Sequence, residues 1–172
     1  MITYSQAIIL FVLFVLTIIF DLRERRIPNW LTISFMFAGM AYHAVTGGLQ
    51  GLIFSIEGLA LGILLLILFY AAGGMGAGDV KLMGAVGSLL GPMNVIIAFL
   101  YSAVAGGVYS VAVLYRHGAL RLTLERSVCA PADFLRTGQW LWSATPATRK
   151  MPRICYGIAI SLGTGIYVLR SL

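Results

Sequence analysis

The chain has 172 residues, of which 60% are hydrophobic and only 10% charged, and its mean hydropathy is +0.94. So little charge cannot cover the surface of a water-soluble domain of this length, which points to the membrane class. The net charge of +6 calls for no nucleic-acid partner, because basic residues of a membrane protein collect in its cytoplasmic loops.

Six apolar segments are predicted in chain order, at about 3–20, 30–46, 52–72, 78–91, 94–115 and 154–170. The first has no Lys or Arg before its apolar run and no small-residue cleavage site, so it reads as a retained helix rather than a signal peptide. The second follows Pro28, with Asn29 as its expected N-cap. The third carries Glu57, for which no catalytic role emerges. The fourth, at about 14 residues, falls short of the roughly 20 that a full crossing needs. Its length alone would fit a re-entrant half-helix.

Charge favours a crossing. Arg23, Arg25 and Arg26 follow the first segment, and Lys81 opens the fourth. Arg116, Arg121, Arg126, Arg136, Arg149, Lys150 and Arg153 lie in the 116–153 connection, while the connections near 47–51 and 91–94 hold no basic residue. Six crossings put all three basic connections on one side, which the positive-inside rule makes the cytoplasm. The expected fold is therefore all-α, one membrane domain over 1–172 with six transmembrane helices and both termini outside. The connection between the fifth and sixth helices mixes Leu120, Leu122 and Leu124 with Arg121, Glu125 and Arg126, and Trp140 and Trp142 follow. That pattern suits amphipathic helices lying at the headgroup level on the cytoplasmic side.

Acidic residues are few, and two stand out. Asp21 closes the first segment, and Asp79 opens the fourth after Gly73-Gly74-Met75-Gly76-Ala77-Gly78. The topology puts both at cytoplasmic helix ends at similar depth. Two carboxylates brought to one level by independent segments are more telling than a single acid at a boundary. The glycines remove side chains from the approach to Asp79 and loosen the backbone there. A bland turn would use them too. Irregular backbone near membrane depth, however, survives only beside protein or a wet cavity. Carboxylates a few ångströms apart share a proton, so one can take a proton from water while the other hydrogen-bonds a scissile carbonyl. Cys129 and Cys155 are far apart, and His43 and His117 are isolated, so neither zinc nor a nucleophile triad is expected. Lys81 is expected to orient its helix toward the cytoplasm.

These residues carry a resemblance. Asp21-Leu22-Arg23-Glu24-Arg25-Arg26-Ile27-Pro28-Asn29 resembles the first-aspartate region of type IV prepilin peptidases. Gly76-Ala77-Gly78-Asp79-Val80-Lys81-Leu82 is similar to their GxGD motif, and Met151 to Ile160 looks like their Pro-Tyr-Gly stretch with extra residues between Pro152 and Tyr156. The resemblance implies a GxGD intramembrane aspartic protease with Asp21 and Asp79 as the catalytic pair and no cofactor. It implies cleavage of prepilin or pseudopilin leaders after a glycine, at the cytoplasmic face of the bacterial inner membrane. This chain has no N-terminal cytoplasmic segment with paired cysteines, so it resembles the short peptidases of tight-adherence (Flp) pilus systems, without N-methylation. Archaeal preflagellin peptidases are a more distant likeness. The rival expectation is a small proton- or ion-coupled transporter using Asp21, Asp79 and Glu57 as relays, although no inverted repeat supports it.

Overall fold

The computed structural model describes residues 2–24, 27–72, 74–116 and 156–172. The expectations placed on Arg25, Arg26 and Gly73, and on the 116–153 connection past Arg116, lie outside the described residues. So do those on Cys129, Cys155 and the stretch before Tyr156. Five helices are described: α1 (Tyr4–Glu24), α2 (Asn29–Ala71), α3 (Ala77–Leu90), α4 (Pro92–Arg116) and α5 (Tyr156–Ser171). The chain divides into two units, Met1–Gly106 with Cys155–Leu172, and Gly107–Ile154. Among the described residues the second unit is the last turns of α4, and the first holds everything that follows.

Among the described residues three helices are long and apolar enough to cross a membrane: α1, α2 and Pro92–Val113 of α4. Their outward positions are apolar, as at Ile8, Phe11, Phe37, Leu68 and Val104. Polar side chains such as Gln6, Thr17, Ser55, Ser88, Ser102 and Thr164 are buried instead. This inversion of the water-soluble pattern suits a lipid surround.

The second and third predicted segments emerge as one long helix with a break. Gly48, at φ 61° and ψ −143°, is the non-helical residue inside α2. Left-handed φ is open to glycine without steric cost. The chain doubles back there, because a Cβ on Gly51 would run into the His43 carbonyl. The two arms then run in opposite directions along α3. Gly39 lies against Ser88 in the first arm; Gly58 lies against Gly87 and Gly91, and Gly62 against Met83, in the second.

α3 is the core of the first unit. At 14 residues it is about 21 Å long, and Val80 and every residue from Leu82 to Leu90 are buried. Leu10 and Leu13 of α1 and Leu31 of α2 complete its surround. Close approach comes from small residues. A Cβ on Gly58 would meet the Gly87 carbonyl oxygen, and one on Gly87 the Gly58 oxygen. Ser55 Oγ donates to Ser88 O at 2.7 Å beside them. Gly87→Ala should therefore push the second arm off α3, costing about 1–3 kcal/mol by overpacking. Gly47→Ala, with open space around it, should cost nothing. Thermal unfolding of the purified variants in one detergent checks both.

α3 ends at Gly91, whose φ of 79° needs glycine and whose missing Cβ makes room for the Phe54 ring. Pro92 then starts α4 at the position where its lost N–H matters least. α4 and α5 run antiparallel. Ser102 Oγ reaches Ile160 O and Thr164 Oγ1, both at 3.3 Å, and Tyr167 Oη donates to Asn94 Oδ1 at 2.8 Å.

Candidate active site

α1 runs four residues past the predicted end of its apolar segment, and Asp21 lies within its last turn. The side chain is 6% exposed, and Oδ2 has no hydrogen-bond partner. The backbone N–H of Ile158 on α5 is within hydrogen-bonding reach of the carboxylate. α5 comes this close because residue 157 is glycine. A Cβ there would stand 2.9 Å from Asp21 Oδ2, 3.1 Å from Ile27 Cδ1 and 3.3 Å from Thr17 Cγ2.

Asp79 is half-buried in the first turn of α3. Its Oδ2 accepts the Gly76 N–H at 3.2 Å, and its own N–H donates to Gly76 O at 3.1 Å. The carboxylate thus fixes its own helix start, where the positive end of the helix dipole favours an anion. Gly74 to Gly76 are non-helical, as the glycine run suggested, and Gly76 is extended at φ −81° and ψ 150°. Gly78 makes room: a Cβ on it would press on Ile27 Cβ at 3.1 Å.

Asp21 and Asp79 come from helices about 50 residues apart in sequence, yet Asp21 contributes directly to the electrostatic environment of Asp79. Ile27 touches both the Gly78 position on α3 and the Gly157 position on α5. One of the expected supporting residues acts differently. Pro28, not Asn29, occupies the N-cap of α2, and no side chain caps it. Asn29 is the first helical residue, and its Oδ1 accepts from Lys81 Nζ at 2.8 Å. An ammonium is a stronger donor than a backbone N–H, so the amide ties α2 to α3 next to Asp79 instead of capping. Lys81 acquires a local role by the same bond.

Glu57 does not join this group. It is exposed on α2, and its neighbour Gly58 packs at Gly87 and Gly91. Those residues lie eight or more positions beyond Asp79, about 12 Å or more along α3. Glu57 therefore stands apart from the two aspartates. Ile27 and Gly157 carry no signal in the sequence beyond their motifs, whereas Thr17, a polar residue four positions before Asp21 in an apolar run, is a legible one.

Helices throughout the described residues, apolar outward faces and two carboxylates at the ends of separate helices, one within electrostatic reach of the other, are the class that fold and site define. Residues 7–111, which include both aspartates and α1 to α4 as far as Val111, match the type IV leader peptidase family. The chain belongs to that family. It is 30% identical over 119 residues to a prepilin leader peptidase/N-methyltransferase of Aeromonas salmonicida strain A449, and equally to one from Aeromonas salmonicida. Each alignment covers 65% of this chain and 40% of the relative, so the matched part is about two fifths of those proteins. No solved structure matches the chain.

Proposed function

We propose that this protein is a membrane aspartic endopeptidase that removes the leader peptide of type IV prepilins, of the Flp-like kind, cutting after a glycine. What supports this reading is that Asp21 of α1 lies near enough to Asp79 of α3 to act on its electrostatics, in a chain that belongs to a family of leader peptidases. The ionised member of the pair takes a proton from a water molecule as its oxygen attacks the scissile carbonyl carbon. The protonated member hydrogen-bonds the carbonyl oxygen, and a proton then passes to the departing amine. Such a pair titrates as a unit rather than as two independent acids.

The topology that suits this chemistry has six crossings, with each arm of α2 counted once and both termini outside. Arg23 and Lys81, beside the two aspartates, then face the cytoplasm of a bacterial inner membrane. A prepilin leader that is basic and ends in glycine would meet the pair there. The purified protein in detergent should convert such a prepilin to a shorter product whose N-terminus is the residue after that glycine, read by mass. Asp21→Asn and Asp79→Asn should each leave the precursor uncut. Robust cleavage by either would sink the proposal.

A further inference from the structure

Thr17 lies one helical turn before Asp21, on the same face of α1, and is fully buried at 0% exposure. A hydroxyl inside a helix ordinarily settles on the carbonyl four residues back. Thr46, Ser102, Ser161 and Ser171 do so here, on Tyr42, Ala98, Gly157 and Tyr167 at 2.7–2.9 Å. Thr17 Oγ1 does not, and it has no other partner. Ser110, the other buried hydroxyl without a partner among the described residues, belongs to the second unit.

The unsatisfied donor is one helical turn from an unsatisfied acceptor. Asp21 Oδ2, also buried and unpartnered, and the Thr17 methyl both line the Gly157 Cβ position, at 2.9 and 3.3 Å. Threonine in a helix divides between two χ1 rotamers. Rotation about χ1 carries the hydroxyl toward the place the methyl now holds, on the Asp21 side. Buried polar atoms rarely stay unpaired when a partner is within such a rotation.

We propose that Thr17 is a positioning residue of the aspartate pair, its hydroxyl donating to Asp21 Oδ2. The bond fixes the rotation of the carboxylate against Gly157, so that the other oxygen is turned toward the Ile158 N–H and the reacting water. This inference rests on the aspartate pair being catalytic. It adds a residue that touches neither substrate nor water and acts only through Asp21.

The test measures leader cleavage by full-length Thr17→Val, Thr17→Ser and Asp21→Asn proteins in one detergent, with rates taken per folded molecule from thermal unfolding. Valine keeps the shape and removes the donor; serine keeps the donor and removes the methyl. Thr17→Val should lower kcat roughly 10- to 100-fold, the worth of a hydrogen bond to a charged group, with KM changed by less than about 2-fold. Thr17→Ser should restore most of it. A Thr17→Val enzyme with wild-type kcat, or a Thr17→Ser enzyme as impaired as Thr17→Val, overturns the role of the hydroxyl. If Asp21→Asn is inactive while Thr17→Val is normal, only Thr17 loses its role. If Asp21→Asn cleaves normally, the catalytic pair falls and Thr17 with it.

Discussion

Asp79→Asn is expected to abolish leader cleavage while leaving the fold unchanged. The asparagine Oδ1 can still accept the Gly76 N–H that Asp79 Oδ2 accepts now, so the start of α3 keeps its reciprocal backbone and side-chain bonds. What disappears is the capacity to hold or release a proton beside Asp21. General acid–base groups contribute about 10²–10⁴-fold, and the loss should reach at least that range because the pair acts as a unit. Asp79→Ala separates the two jobs. It should lose activity to the same extent and also about 1 kcal/mol of stability, the ordinary worth of a helix cap. Initial rates of leader release and melting in detergent, for both variants side by side, read the difference. An Asp79→Asn protein that melts far below the wild type would mean that the carboxylate is chiefly structural.

Gly157→Ala should cripple leader cleavage while leaving every titratable group in place. Its methyl would arrive 2.9 Å from Asp21 Oδ2 and 3.1 Å from Ile27 Cδ1, closer than carbon normally approaches either. Either the carboxylate turns or α5 retreats. Ile27 can yield little, because on its other side it meets the Gly78 position of α3. A misplacement on the order of 1 Å at a catalytic group can cost about 10²-fold in rate. We expect a loss of that size, with a destabilisation of about 1–3 kcal/mol from overpacking. Gly165→Ala is the internal control: it lies on the same helix with nothing within 4 Å of its Cβ position. It should keep full activity and gain stability of up to about 1 kcal/mol from helix propensity. Equal kcat in Gly157→Ala and Gly165→Ala would show that α5 does not constrain the aspartate.

Much of this protein was legible in its sequence. Composition gave the membrane class, the apolar runs gave the helices, and the two aspartate motifs gave the family. These features depend on local pattern and on residue type, which a linear chain displays directly. The glycines around Asp79 were equally readable as a departure from helix.

The tertiary structure decided what local pattern cannot express. Asn29 looked like a helix cap, because asparagine before an apolar run often is one. The nearby Lys81 ammonium, 52 residues away in sequence, takes its side chain instead. The second and third segments looked like separate helices, and the backbone at Gly48 shows how they join and fold back along α3. Glu57 looked like a third intramembrane acid, and it is exposed on α2 beside the far end of α3 from Asp79. Ile27, Gly157 and Thr17 gained their significance only from neighbours on other helices, since the space for a Cβ or a hydroxyl is set by what packs against it. Sequence alone determined which residues are ionisable and where the helices run, because ionisability and helix propensity belong to each residue and its near neighbours. Only the packing of α1, α3 and α5 decided how those residues stand to one another, because the room between helices belongs to neither helix alone.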